Sequence, residues 1–270
     1  MKNHVFIALF LGYTLAGYSQ SWFPLSYSLS VGGTSVTDTH RTLLFQNPAL
    51  ISYTGSAQLN AEYESRYAIT ELDSKGLQFS LPFSHFTVSA AIRYSGFEVY
   101  HEILSGIGFA RDFGGKFGMG LQLIADSRYS VETDRYYTAI YPQLGVYIPL
   151  SATLFLGCSV FNPFQMKMNY ESESRQLASV YSVGTKLCIT EKVEWRLQAD
   201  QEVSNRLRVG TAIEMELNSR LYLQTGVSYQ SFLIPALGAG FDKSRFRFNL
   251  TASLHPVLGV MVASALSYTF

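Results

Sequence analysis

Residues 245–254 read Arg245-Phe246-Arg247-Phe248-Asn249-Leu250-Thr251-Ala252-Ser253-Leu254. Phe246, Phe248, Leu250, Ala252 and Leu254 fall on one set of alternate positions, and Arg245, Arg247, Asn249, Thr251 and Ser253 on the other. Successive side chains of a strand point to opposite faces, so this segment is a strand between an apolar and a polar surrounding. The pattern recurs upstream. In 193–203, Val193, Trp195, Leu197 and Ala199 oppose Glu194, Arg196, Gln198 and Asp200. In 207–217, Leu207, Val209, Ile213, Met215 and Leu217 oppose Arg208, Gly210, Glu214 and Glu216, and in 57–69 Leu59, Tyr63, Tyr67 and Ile69 oppose Asn60, Glu62, Glu64 and Arg66.

A soluble sandwich also alternates, but its outer face meets bulk water and is rich in Lys, Thr and Glu. Here the polar face carries Gly, Ser, Gln, Arg and Glu with few Lys. The apolar faces run for five or six alternate residues, which suits the roughly 9–11-residue strands of a bilayer-spanning barrel. Composition points the same way. Only 15% of residues are charged while aromatics reach 14%, with 18 Tyr and 19 Phe. Soluble domains carry about 25% charged residues. Backbone polar groups must be satisfied internally in a bilayer, and past the N-terminus no apolar run approaches the roughly 20 residues of a spanning helix, so a closed barrel is the remaining solution. The 20 basic and 20 acidic residues balance and give no reason to expect nucleic acid.

Breaks divide 56–270 into about fourteen strands, the first two at 56–71 and 76–84 and the last at 257–270. The expected separators include Asp73-Ser74-Lys75-Gly76, Gly114-Gly115-Lys116, Ser204-Asn205 and Asn218-Ser219. An even count puts both ends of the barrel on the periplasmic side, with short turns near 85, 114, 151, 190, 218 and 243 there and the long connection 162–178 outside the cell. Leu258, Val260, Val262, Leu266, Tyr268 and Phe270 share the last apolar face. A terminal strand closing on Tyr268 and Phe270 resembles the signal read by the outer-membrane barrel assembly machinery.

At the other end, Lys2 followed by Val5-Phe6-Ile7-Ala8-Leu9-Phe10-Leu11, with Gly17 and Ser19 before Gln20, reads as a cleavable signal peptide over 1–19. It is too short for an anchor helix. Cys158 shares a face with Leu154 and Leu156, and Cys188 with Gly184 and Lys186. Parity sends the two thiols to opposite sides of the wall, so two free cysteines are expected.

Residues 20–55 break the alternation. They contain Ser30-Val31-Gly32-Gly33-Thr34-Ser35-Val36 and then Leu43-Leu44-Phe45-Gln46-Asn47-Pro48-Ala49-Leu50. A Gly-Gly element followed by Asn-Pro-Ala ahead of the first strand resembles the N-terminal plug of the FadL-type fatty-acid transporter superfamily and its PorV/PorQ-like relatives in type IX secretion. The resemblance implies a fourteen-stranded barrel over 56–270 holding a small hatch formed by 20–55. It covers some 20 residues closely and the rest in architecture; Leu50 stands where the fatty-acid branch continues with Gly. Pro48 pushes Asn47 towards extended backbone and its side chain can bond nearby backbone, while Gly32 and Gly33 allow positive φ or close approach to the wall.

Pro142 lies inside the strand expected at 135–150, where a bulge or kink would open the wall, and FadL-type barrels are associated with such a lateral opening. Gly32, Gly33, Asn47, Pro48, Ala49 and Pro142 are therefore the plug and gate candidates. Glu62, Glu64, Arg66, Arg93, Asp126, Lys186, Glu194, Arg196, Asp200, Arg208, Glu214, Arg245 and Arg247 all fall on polar faces. Interleaved signs predict a salt-bridged, filled lumen rather than an ion-selective one. His40, His85, His101 and His255 sit in no nucleophile motif, and no metal, phosphate or nucleotide motif is present, so neither catalysis nor a cofactor is expected. Two functions remain: passive uptake of a small hydrophobic molecule, or a scaffold in secretion or surface assembly. An apolar lumen pocket against the plug would favour the first.

Overall fold

The computed structural model describes residues 31–40, 44–171, 173–203 and 205–270. The signal peptide expected at 1–19, the start of the plug at 20–30 and Ser204 of the expected turn lie outside the described residues. The wall strands are β1 Gln58–Arg66, β2 Ile69–Pro82, β3 Thr87–Gly96, β4 Tyr100–Asp112, β5 Gly118–Ser130, β6 Arg135–Pro149 and β7 Leu154–Phe161. A small hairpin, β8 Lys167–Asn169 and β9 Ser174–Gln176, stands apart. The wall resumes with β10 Val180–Thr190, β11 Val193–Glu202, β12 Arg208–Asn218, β13 Leu221–Tyr229, β14 Leu233–Lys243, β15 Phe246–His255 and β16 Gly259–Thr269. Each pairs antiparallel with its neighbour, and β16 returns to β1 from Gln58↔Thr269 to Arg66↔Met261. The fourteen-stranded sheet therefore closes on itself as a barrel.

The alternation of 245–254 is realised as read. Asn249, Thr251 and Ser253 are buried on the inside, while Phe246, Phe248, Leu250 and Leu254 are exposed on the outside. Aromatic bands mark the two rims. Phe83 stacks on Phe86 and Phe113 on Phe117 at the end bearing the short turns and both ends of the barrel chain. Tyr94, His101, Tyr129 and Tyr136 cluster at the end bearing the 162–178 connection. These ends are called the turn end and the loop end.

Two expectations about the wall are corrected. Asp73-Ser74-Lys75-Gly76 is not a turn but the middle of β2, with Gly76 paired to Glu62 and Arg93. The hairpin turns instead at Tyr67 and Ala68, at φ 60° and 55°. Two consecutive left-handed residues make the tight turn whose twist matches the strands, and it usually takes Asn-Gly, so the Tyr-Ala pair gave no signal. Arg245 lies exposed in the turn before β15 and is outside the lumen network. Strand residues begin at Phe246, because Asp242 pairs with Arg247 and the two residues between Lys243 and Phe246 close the hairpin. Cys158 and Cys188 are free, with Cys188 inside beside Glu194.

Candidate functional site

Two inward glycines of the wall and one of the N-terminal segment show why that segment fits where it does. Gly120 of β5 pairs directly with Gly145 of β6. A Cβ on Gly120 would strike the backbone of Pro48 and Ala49, and one on Gly145 the Asn47 side chain and Pro48 ring. Gly32, at φ 63°, lets the other end of the segment lie against the backbone of Thr211 on the far wall. Residues 31–40 and 44–57 thus touch opposing arcs of the inner face, β12–β14 through Val31–Gly33 and β4–β6 through the 3-10 helix Pro48–Tyr53.

Asn47 ties the segment together. Its Oδ1 accepts from Ala49 N at 3.0 Å, capping the 3-10 helix, and its Nδ2 donates to Val36 O at 2.9 Å and Val146 O at 3.0 Å. One side chain thereby joins both halves of the segment to β6. The wall supplies further anchors. Gln198 Oε1 accepts from Val36 N at 2.8 Å, Glu62 Oε1 from Leu44 N at 2.7 Å, and Gln143 Nε2 donates to Phe45 O at 3.1 Å. Arg208 donates to Gly33 O at 2.8 Å, and Arg196 pairs with Asp38 at 2.8 Å and with Glu214. Arg196 and Asp38 are 3% and 1% exposed, so the ion pair between segment and wall is a buried one.

A second ionic cluster lines the loop end of β1–β5. Arg93 meets Glu64 at 2.9 Å, Arg66 meets Glu64 at 2.7 Å, and Arg128 bridges Asp126 at 3.0 Å and Glu102 at 3.6 Å. Of the network residues read from the sequence, Glu62, Arg196 and Arg208 hold the N-terminal segment, with Asp200 backing Arg208 and Glu214 backing Arg196. Glu64, Arg66, Arg93 and Asp126 form the loop-end cluster; Lys186 and Glu194 pair with each other, and Arg247 pairs with Asp242. Sequence reading missed Asp38, Glu102, Arg128, Gln143 and Gln198. Inward parity alone would have found Glu102 and Arg128, which fall in step with Leu104 and Asp126.

Between the ionic cluster and the Asn47–Pro48 seat, the lumen turns apolar. Leu104, Ile124, Ala139 and Tyr141 of the wall meet Leu44 and Phe45 of the segment and Phe161, Met168, Leu177 and Val180 from the β7–β10 region. All are buried. Met168 shows that the long connection folds inward over the lumen, held in part by Asn162 Nδ2 donating to Ala178 O at 3.2 Å.

Pro142 makes no bulge in β6. The β5–β6 register is unbroken from Ser130↔Arg135 to Gly118↔Tyr147. What changes is the other neighbour: β7 pairs with β6 only from Gln143 onward, and Asn162, at φ 50°, turns away. Asn162 N donates to Pro142 O at 3.2 Å, so the carbonyl of Pro142 faces the β7 side. A residue's N–H in a strand points the same way, so the donor that proline lacks would have met no ladder partner. Beyond this step the β8–β9 hairpin, not a wall strand, stands beside β6.

The geometry defines a class: a closed fourteen-stranded barrel with an apolar exterior and an ionic lumen into which its own N-terminal segment packs. Solved structures carry the same fold. The Pseudomonas putida toluene transporter TodX superposes with a TM-score of 0.66 at 12% identity, covering 92% of this chain and 98% of its own. Its monoaromatic hydrocarbon channel deltaS2 mutant gives 0.67 at 12% identity, covering 92% and 100%. A Pseudomonas aeruginosa FadL homologue gives 0.58 at 10% identity, covering 91% and 96%. The fold is thus that of FadL-type barrels, as the Gly-Gly and Asn-Pro-Ala elements implied. No protein-family model and no curated protein sequence matches the chain.

Proposed function

We propose that this protein is an outer-membrane channel for passive entry of a small hydrophobic molecule. The observation that carries the reading is the apolar cluster of Leu104, Ile124, Tyr141 and Phe161 in the lumen, filled by Leu44 and Phe45 of the N-terminal segment. Ligand sites are concave and mainly apolar with a few placed polar groups, and here Asp126 and Arg128 border the cluster, Tyr141 OH lying 3.4 Å from Asp126. The N-terminal segment acts as the hatch, released when Asn47 lets go of Val36 and Val146. Leu44 and Phe45 then vacate a site of their own shape. The step at Pro142 is the sideways exit, since displacing the β8–β9 hairpin with its Met168 would join the cluster to the bilayer without breaking a wall ladder.

In this reading both termini of the barrel are periplasmic, the loop end faces outward, residues 1–19 are removed on export, and Tyr268 and Phe270 present the assembly signal. That TodX is described as a toluene transporter supports the ligand class. The inward burial of Met168 and Leu177 favours transport over a docking scaffold, which would display this connection. The test is the uptake rate of a small uncharged aromatic by whole cells with an intact lipopolysaccharide layer. Ala139→Phe, which fills the cluster, should abolish channel-dependent uptake while the barrel still assembles, and Pro142→Ala should slow it. Unchanged uptake in Ala139→Phe would refute the proposal.

A further inference from the structure

β15 lies opposite β6 in the closed order of strands, and its side of the lumen has no part in the uptake reading. No Asp, Glu, Lys or Arg occurs in 221–241 or in 248–270. The charges between those stretches, Asp242, Lys243, Arg245 and Arg247, sit around the β14–β15 hairpin at the turn end. The loop-end half of β13–β16 is therefore uncharged apart from one titratable side chain, His255, which ends β15.

His255 is in step with the inward Asn249, Thr251 and Ser253 and is 3% exposed. Its tautomer is fixed locally. Nδ1 accepts from Val257 N at 3.2 Å and Leu258 N at 3.1 Å, the amides of the β15–β16 turn. A neutral imidazole that accepts at Nδ1 carries its proton on Nε2, so Nε2 is a donor. That donor is buried and has no hydrogen-bond partner among the described residues. Two rings stand edge-on to the imidazole: Tyr67 from the β1–β2 turn at a centroid distance of 6.0 Å, and Phe232 from the β13–β14 hairpin at 5.1 Å. Gly259 pairs with His255, and a Cβ there would meet no atom of the described residues within 4 Å. Ser253 lies about 7 Å further down the same inner face, and its hydroxyl is likewise buried without a partner among the described residues. Charges on the flanking strands are engaged, Arg66 with Glu64 at 2.7 Å on β1 and Arg208 of β12 with Asp200, while Arg206 stands exposed in the β11–β12 turn.

We propose that His255, Tyr67 and Phe232 form a second binding site, at the loop end, for a neutral aromatic molecule that carries an oxygen acceptor, such as an aryl ketone, aldehyde or ester. The ligand's ring takes the place of Phe232 against the imidazole, and its oxygen accepts from His255 Nε2. Phe232 is free to leave because it sits at a hairpin tip and is 43% exposed, and the exposed Leu233, Val257 and Leu258 make the approach apolar. A buried donor without a partner is costly, and a site that supplies such a donor rejects a ligand of the same shape lacking the acceptor. Binding here needs neither release of the hatch nor the step at Pro142.

The test is side-chain nitrogen NMR of the detergent-solubilised barrel with labelled histidine, titrated with acetophenone, with α-methylstyrene, which has a methylene in place of the oxygen, and with benzoate. Acetophenone should shift the His255 Nε2 resonance saturably and bind about tenfold more tightly than α-methylstyrene, with benzoate weaker than acetophenone. His255→Asn keeps an oxygen that can accept from the turn amides but loses the Nε2 donor, and it should bring ketone and hydrocarbon within about twofold of each other. Heat-modifiable migration on gels shows that this variant has folded. Equal affinity for ketone and hydrocarbon in the unaltered barrel, an unmoved His255 resonance, or tighter binding of benzoate would overturn the proposal. The His255 shift should persist in Ala139→Phe, whose uptake is expected to be lost, so the second site and the transport reading fail separately.

Discussion

Replacing Asn47 by Ala removes three hydrogen bonds at once, those to Ala49 N, Val36 O and Val146 O. All three lie within an interior where Asn47 is 3% exposed. At a net value of about 1 kcal/mol for each bond, the seated state of the N-terminal segment loses about 3 kcal/mol. Each 1.4 kcal/mol is a factor of ten, so the segment should open roughly 100-fold more often. The barrel ladder is untouched, because the Asn47 side chain takes part in no strand pairing. Amide hydrogen exchange reads this directly. The Val36 amide is the reporter, since it donates to Gln198 and not to Asn47 and so exchanges faster only if the whole segment leaves the wall. The amide of Leu104 in β4 is the control. Faster exchange at Ala49 alone, with Val36 unchanged, would mean that Asn47 caps a helix locally and holds no hatch.

Other perturbations follow from the same geometry. Arg196→Met removes the guanidinium that joins Asp38 to the wall in the interior and should destabilise the seated segment by about 3 kcal/mol, with Asp38→Asn in the same chain recovering part of the loss in the exchange assay. Gly120→Ala should unseat Pro48 and Ala49 and raise Val36 exchange as Asn47→Ala does, whereas Gly55→Ala, which meets nothing, should not. Replacing Tyr67-Ala68 with Asn-Gly should relieve left-handed strain of about 1–2 kcal/mol per residue and raise the urea midpoint of the detergent-solubilised barrel. Tyr53, at the end of the 3-10 helix, has its phenol pushed up to about 12 by burial and then by the neighbouring Asp112 carboxylate. A neutral form favoured by the fold contributes stability below the unfolded pKa near 10 and loses it as pH rises through about 12. An absorbance titration differenced against Tyr53→Phe should place that step there.

The barrel was legible because a period of two needs no long-range knowledge: each strand sorts its own side chains by environment, and 245–254 does so without exception from Phe246 onward. The Tyr67-Ala68 turn was not, since nothing in those two residues announces positive φ, whereas Asp73-Ser74-Lys75-Gly76 has turn composition for another reason: Gly76 faces the lumen, and a Cβ there would meet Leu44. The candidate site was half legible. Asn47-Pro48-Ala49 announced itself as a turn, but its seat depends on Gly120 and Gly145 coming together across β5 and β6, a fact of register. The apolar cluster was invisible for the same reason. Leu104, Ile124, Tyr141 and Met168 come from four separated elements, and each looks locally like an interruption of a polar face. Pro142 makes no bulge, and what distinguishes its place, the end of the β7 ladder beside it, is again a matter of register that its own sequence does not show.

The claim that a hydrophobic molecule takes the place of Leu44 and Phe45 is tested most directly by methyl NMR of the detergent-solubilised barrel titrated with a small aromatic hydrocarbon. Saturable shifts at the inward methyls of Leu104 and Ile124, with faster exchange at Val36, are predicted. Shifts confined to the outward methyls of Ile107 and Leu123, with Leu104 and Ile124 unmoved, would contradict the account.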